Sequence, residues 1–243
     1  MGQLDGKIAI ITGAATGIGK GITFAYGKEG ATLVMASRNE ENLKNCAHEI
    51  ESTGVNTLVI RTDISIEIDV INLFKRTMEE FGRVDILVNN AGVFDGGPLD
   101  KISLTTWQKV IDVNLTGTFL CSREAMKIMK KQRFGRIINI GSISSKTPRL
   151  NDAPYVTSKH ALVGLTKATA LEGRKFGVTA SCLHPGNVNT ERRSVSNSEK
   201  DREPMMMPAD IAMAAVTMAA LPQYVNMLEA IVLPVAQKYI GRG

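Results

Sequence analysis

The chain has 243 residues, 44% hydrophobic and 22% charged, the balance of a soluble globular protein long enough to bury one full core in a single domain. No apolar run approaches the ~20 residues of a membrane span, and Met1 to Lys7 carry no basic segment followed by an apolar core, so neither a membrane partner nor a secretory leader is expected. A net charge of +5 and a pI near 9.1 suit an anionic cofactor or substrate but do not by themselves argue for nucleic acid.

The three cysteines, Cys46, Cys121 and Cys182, are odd in number, far apart and without C-x-x-C spacing. They read as reduced thiols in a cytoplasmic protein. His48, His160 and His184 form no H-E-x-x-H set, so no catalytic metal is expected.

In chain order, Lys7 to Thr12 is a β-branched apolar run that suits a buried strand. It enters Gly13-Ala14-Ala15-Thr16-Gly17-Ile18-Gly19, and a helix follows through about Lys28. Strand, glycine-rich turn and helix together make a nucleotide site: glycines allow close backbone approach, and the helix N-terminus offers N–H groups to a pyrophosphate. The spacing is G-x-x-x-G-x-G, neither the G-x-G-x-x-G fingerprint nor a Walker loop. Thr32 to Ser37 is a second strand, and Asn39 can cap the next helix, with Glu40 and Glu41 in its first turn. A carboxylate at this strand end would hold the ribose hydroxyls of NAD. Ser37-Arg38 offers a hydroxyl and a guanidinium, which fit a 2′-phosphate, so NADP is preferred; the alternative for Arg38 is a solvated surface arginine.

Thr57 to Thr62 is a third strand, ending at Asp63. Ile68, Ile71, Phe74, Met78 and Phe81 recur at spacings of three and four, predicting an amphipathic helix over 66–81. Val84 to Val88 is a fourth strand, followed by Asn89-Asn90-Ala91-Gly92, small and amide residues that suit a ligand crevice. Leu104 to Lys131 is helical, in one or two pieces, and contains Asn114. Arg123, Lys127, Lys130 and Lys131 fall on one face of it, either a solvated face or a docking surface for an acidic partner.

Arg136 to Ile140 is a fifth strand, leading to Gly141-Ser142. A helix over 153–170 carries Tyr155 and Lys159, four apart and therefore on one face. An ammonium beside a phenol favours the phenolate, so the pair can move a proton at a reacting oxygen. Thr179 to Leu183 is a sixth strand, ending in His184-Pro185-Gly186. The polar stretch 190–207, closing in Met205-Met206-Met207, reads as a substrate lid with plastic apolar contacts. Pro208 to Ala220 is a helix with Pro in its first turn, and Glu229 to Pro234 is the last strand, at the sheet edge if Pro234 belongs to it. Strands alternating with helices predict a single α/β domain: a Rossmann-type doubly wound parallel sheet of about seven strands, helices on both faces, and ligands at the strand C-termini.

Thr12 to Gly19, Asn89-Asn90-Ala91-Gly92, Asn114, Ser142, Tyr155-Val156-Thr157-Ser158-Lys159 and Pro185-Gly186-Asn187-Val188-Asn189-Thr190 stand in the order of the short-chain dehydrogenase/reductase family, and the chain resembles that family from about residue 5 to 190. The resemblance implies that Gly13, Thr16, Gly17, Ile18 and Gly19 line the cofactor phosphates. Ser37 and Arg38 would read the 2′-phosphate, Asp63 and Ile64 would flank the adenine, and Asn89, Ala91 and Gly92 would lie along the ribose. Pro185, Gly186, Val188 and Thr190 would hold the nicotinamide end. Tyr155 would be the general acid and base, with Lys159 tuning it and holding the nicotinamide ribose; both count as cofactor contacts. Ser142 would donate to the substrate oxygen, and Asn114 would support a water that resupplies protons through Lys159. The expected activity is hydride transfer between NADP(H) and a ketone, an aldehyde or a secondary alcohol. The alternatives are a 3-oxoacyl substrate on an acidic carrier protein and an NADP-binding sensor that catalyses little. A homotetramer, or a homodimer, is implied. The C-terminal run from Ile231 to Gly243 departs from the Val-Asp-Gly-Gly-like ending of many relatives, so substrate and oligomer geometry transfer less well than the catalytic centre.

Overall fold

The computed structural model describes residues 2–191 and 203–238. Seven parallel strands form one sheet in the order β3-β2-β1-β4-β5-β6-β7. They are β1 Ile8–Thr12, β2 Thr32–Ser37, β3 Thr57–Arg61, β4 Ile86–Asn89, β5 Gly135–Ile140, β6 Val178–Pro185 and β7 Glu229–Val232. The chain winds outward from β1 to β3, returns to pair β4 with β1 (Ala9 beside Ile86), and winds out the other way. Parallel pairing brings the strand C-termini to one edge, and the reversal between β1 and β4 opens a crevice there.

Alternate residues of β1 face opposite layers, as the pleat requires. Ala9 and Ile11 join a core with Ile22 and Tyr26 of α1 (Gly17–Lys28), Leu43 of α2 (Glu40–Glu51) and Ala215 of α7 (Pro208–Ala220). Ile8 and Ile10 join a second core with Leu73 and Phe74 of α3 (Glu67–Phe81) and Cys121 and Met126 of α5 (Thr118–Gln132). Two more α-helices among the described residues are α4 (Leu104–Ile111) and α6 (Ala153–Gly173). The three cysteines are free and buried; burial pushes Cys46 and Cys182 up to about 11 and Cys121 up to about 12. Among the described residues, no helix is long and apolar enough to cross a membrane.

The expected elements form, with boundaries that shift by one to three residues; α6 runs on to Gly173. Gly82, at φ +67, ends α3 in the left-handed conformation that glycine takes without strain. The helical region over 104–131 is continuous but not uniform: residues Asp112–Gly117, between α4 and α5, form a π-helical turn that holds Asn114. β7 is an edge strand and stops at Val232, so Pro234 lies beyond it. The expected lid spans 190–207, and its residues 192–202 lie outside the described residues.

Arg136 of β5 is almost fully buried and donates to the carbonyls of Leu221, Pro222 (2.7 Å) and Val225 (3.1 Å) and to Thr179 Oγ1 (3.2 Å). It fixes the segment that leads from α7 to β7. Arg136→Met keeps the apolar stem and removes these donors. Those carbonyls are partly solvated, so the expected loss is about 2 kcal/mol, seen as a melting temperature lower by roughly 4–8 °C in a thermal unfolding scan.

Candidate active site

The nucleotide turn is shaped by close contacts. Gly13 and Gly17 adopt φ +65 and +52, and a Cβ on Gly19 would sit 2.0 Å from the Gly13 carbonyl oxygen. Asn90 clamps the turn: its Nδ2 donates to the carbonyls of Thr12 (3.0 Å) and Gly13 (3.1 Å), while Thr12 Oγ1 accepts from the N–H groups of Asn90 (3.0 Å) and Ala91 (3.1 Å). The ends of β1 and β4 are thereby locked together, and α1 starts at Gly17 with its first N–H groups facing the edge. Gly17 N–H donates to the Glu191 carboxylate at 2.9 Å, and a Cβ on Gly17 would meet Thr190 Cγ2 at 3.1 Å. The exit of β6 therefore closes over the start of α1.

An open cleft of about 800 Å³ runs along this edge, walled by Gly13, Thr16, Ser37, Arg38, Asp63, Ile64, Ala91 and Gly92. Arg61 also lines it, as the register partner of Ser37 on the neighbouring strand. Ser37 Oγ accepts from Asn39 N–H at 3.2 Å, and Asp63 accepts from the Ser65 N–H (3.0 Å) and hydroxyl (2.6 Å). Ile64 packs under Gly117, where a Cβ would come within 2.8 Å of it. The Asn89 side chain is buried in the interior, donating to Ser122 (3.1 Å) and Asn139 (2.9 Å); its neighbours Ala91 and Gly92 face the cleft.

Asn114, on the π turn, accepts from Val93 N–H at 2.7 Å and returns a bond to the Val93 carbonyl at 2.9 Å. The same amide nitrogen reaches Ser158 Oγ at 3.2 Å, and Ser158 donates to the Tyr155 carbonyl at 2.7 Å. Lys159 is buried, donates to the Ile140 carbonyl at 2.7 Å, and holds its ammonium 5.6 Å from the centre of the Tyr155 ring. Phe94 packs against Tyr155, with the two ring centres 5.0 Å apart and the planes tilted by 60°. Ser142 caps a short turn, its Oγ accepting from Ser144 N–H at 3.1 Å. Gly186 donates to the Val232 carbonyl at 2.8 Å, and Val188 pairs with Met206, so both ends of the 190–207 excursion are anchored beside β6. The strand ends and α6 thus bring Asn114, Ser142, Tyr155 and Lys159 to the edge that holds the cleft.

The basic face of α5 is mostly paired. Arg123 binds Glu67 (2.7 Å) and Glu124 (2.8 Å), Lys127 binds Glu124 (2.8 Å), and Lys130 lies 3.9 Å from Glu172. Burial raises Glu124, but the hydrogen bonds from Lys127 and Arg123 outweigh it and hold the carboxyl below its ordinary range.

The model of the family described as short chain dehydrogenase matches residues 7–201. The chain belongs to the short-chain dehydrogenase family. An uncharacterised oxidoreductase of Bacillus subtilis (strain 168) is 35% identical over 219 residues, 89% of this chain and 84% of that protein. A 3-oxoacyl-[acyl-carrier-protein] reductase of Synechocystis is 35% identical over 200 residues, 82% and 81% of the two chains. The crystal structure of a short-chain type dehydrogenase/reductase from Mycobacterium marinum superposes with a TM-score of 0.89 at 32% identity, covering 94% of each chain.

Short-chain dehydrogenases are oxidoreductases that bind a nicotinamide dinucleotide, and the residues of this edge fit such a group. A Cβ on Gly13 or Gly19 would meet backbone or Asn90, the Gly17 N–H at the start of α1 donates to a carboxylate, and two guanidiniums line the cleft. Three contributors have no role of their own in the sequence reading: Arg61, and Asn90 and Ser158, which stand there only as members of motifs. Arg61 could have been found as the last residue of the strand after Ser37, but the other two act through contacts that span 78 and 44 residues. Glu191 places a carboxylate where the first turn of α1 attracts anions, so it opposes a pyrophosphate by about 1 kcal/mol at a few ångströms in water. Glu191→Gln is expected to tighten binding of the dinucleotide about fivefold at low salt, measured by titration calorimetry, with the gain shrinking as salt screens the charge.

Proposed function

We propose that this chain is an NADP(H)-dependent carbonyl reductase that also oxidises the corresponding secondary alcohol. The observation that carries the reading is the linkage Asn114–Ser158–Tyr155 together with the Lys159–Ile140 bond, which ties the Tyr155 backbone to the π turn and the Lys159 ammonium to the end of β5. In the reductive direction the Tyr155 hydroxyl donates its proton to the substrate oxygen, and the Lys159 ammonium offsets the phenolate left behind. Ser142 Oγ already accepts from Ser144, so its own proton is available to the substrate oxygen as negative charge develops there. A water beside Asn114 and Lys159 returns the proton to Tyr155. The dinucleotide, when bound, supplies or accepts the hydride. Gly13, Thr16, Gly17, Ile18 and Gly19 take its phosphates, Asp63 and Ile64 its adenine, and Ala91 and Gly92, with the Asn89 backbone, its ribose. Pro185, Gly186, Val188 and Thr190 take the nicotinamide end. The preference for NADP rests on Ser37, Arg38 and Arg61, whose charge and hydroxyl suit a 2′-phosphate. A cytoplasmic homotetramer or homodimer completes the reading.

The similarity to a 3-oxoacyl-[acyl-carrier-protein] reductase favours a second reading, in which the carbonyl is carried as a 3-oxoacyl chain. The cationic face of α5 is a weak support for it. Three of its four cations are paired with carboxylates, and Lys130 and Lys131 sit before β5, a strand of six residues and thus roughly 20 Å from Ser142 at its other end. Turnover of 3-oxoacyl carrier protein measured against the free thioester decides between them; equal rates remove the carrier from the reading.

Tyr155→Phe removes the proton and keeps the ring against Phe94. Its kcat for NADPH consumption is expected to fall about a hundredfold or more, while NADPH affinity changes less than about twofold. Wild-type turnover in this variant would reassign the acid. The cofactor preference has a separate check. Arg38→Ala is expected to weaken NADPH binding about tenfold, in line with one charged hydrogen bond to phosphate, and to leave NADH affinity unchanged. A wild type that prefers NADH would overturn the reading of Ser37 and Arg38.

A further inference from the structure

His184, the penultimate residue of β6, is fully buried and takes no part in the reading above. Its Nδ1 lies 3.1 Å from the Ser142 carbonyl oxygen, and its Nε2 lies 3.4 Å from Glu229 Oε2 on β7. Glu229 is held in turn by Lys167 at 3.2 Å and by Lys146, and Lys146 follows directly on the turn that Ser142 caps. The backbone makes room for the ring. A Cβ on Gly141 would come within 2.6 Å of His184 Nδ1 and 2.9 Å of Cys182 Sγ, so a side chain before Ser142 would expel the imidazole. The carbonyls on either side of Gly141 accept from two different layers: that of Ile140 from Lys159 on α6, that of Ser142 from His184 on β6.

Both ring nitrogens face oxygen, and a neutral imidazole has one N–H to give. The shorter contact, to Ser142, is the one with hydrogen-bond length, so the proton sits on Nδ1. Burial, with the Lys146 charge beside it, lowers His184 from its ordinary value, outweighing Glu229 and the Ser142 carbonyl, and a neutral ring at pH 7 agrees with that tautomer.

We propose that His184 is a positioning residue for the reaction: it donates from Nδ1 to the Ser142 carbonyl and thereby sets the Ser142 hydroxyl against the substrate oxygen. The proposal rests on the reading of Ser142 as the donor to that oxygen. It differs from a packing role because it needs a donor, and not only volume, at this place. An asparagine amide can stand where Nδ1 stands, while a leucine fills space and donates nothing.

The test compares His184→Leu, His184→Asn and Tyr155→Phe with the wild type, using NADPH consumption with ethyl acetoacetate or acetoacetyl-CoA, NADPH affinity by fluorescence titration, and the imidazole ¹⁵N spectrum of the unliganded protein. His184→Leu is expected to lose about tenfold in kcat with NADPH affinity within twofold, and His184→Asn to recover to within threefold of wild type. The ¹⁵N spectrum is expected to show His184 protonated on Nδ1. Wild-type kcat in His184→Leu, equal impairment of the Leu and Asn variants, or a proton on Nε2 would overturn the proposal. If His184→Leu does not fold, the wild-type ¹⁵N spectrum decides: a proton on Nε2 overturns it. A Tyr155→Phe variant with full turnover overturns the underlying reading. A dead Tyr155→Phe beside an unimpaired His184→Leu overturns the positioning role alone.

Discussion

The bond from Lys159 to the Ile140 carbonyl is the contact on which the edge depends. A buried ammonium is costly unless its donors are satisfied, and a carbonyl at the end of a central strand is a fixed acceptor. The bond therefore pins α6 to the end of β5 at one defined rotation. A second tie, Asn139 Nδ2 to Thr166 Oγ1 at 2.8 Å, lies about two turns further along the helix and fixes its tilt. With rotation and tilt set, Tyr155 follows one turn earlier on the same face, and Ser142 follows two residues beyond Ile140. Proton chemistry at a shared oxygen needs this kind of placement, because reach comes before acidity.

The cleft side is held by a parallel set of constraints. Asn90 uses one amide to close β4 on the glycine turn of β1, and Asn114 uses one amide to hold Val93 and reach α6. The π turn at Asp112–Gly117 explains how a helix can do this. The extra residue in the turn shifts the face that α4 presents relative to α5, so Asn114 projects toward Val93 and Ser158 while α5 keeps Cys121 and Met126 in the core. An α-helix running unbroken from Leu104 would have to choose between these two faces.

Much of this was legible in the sequence, and the parts that were not have a common cause. Periodicity marked α3 through Ile68, Ile71, Phe74, Met78 and Phe81, and Pro208 marked the start of α7, because those signals are local. The motif order put Ser142 just past the end of β5, because parallel strands bring their C-termini to one edge. Sequence spacing could not show that Asn89 turns inward to Asn139, since it ends β4 and could have faced the cleft, and its partner stands on the neighbouring strand 50 residues away. The four cations of α5 looked like a patch because Glu67, the partner of Arg123, lies 56 residues earlier. His184 looked like a lone histidine for the same reason: Glu229 meets it only through the pairing of β6 with β7.

Charge placement ties these observations together. The net charge of +5 gave the chain an anionic ligand in principle, and the fold decides where that attraction acts. On α5 the carboxylates of Glu67 and Glu124 sit within 2.8 Å of their cations and leave little field beyond the face. At the cleft the order is reversed. Glu40, which lines it, is taken by Lys44 at 2.6 Å, so the guanidiniums of Arg38 and Arg61 keep their field in a concave wall, where low-dielectric surroundings focus it. At the other end of the same edge Glu191 sits on the start of α1, and the ring of Glu229, Lys146 and Lys167 closes around His184. Two of the chain's cations therefore share one wall of the crevice with Asp63, and an anionic group that reaches that wall meets them in a concave surface and not on an open face.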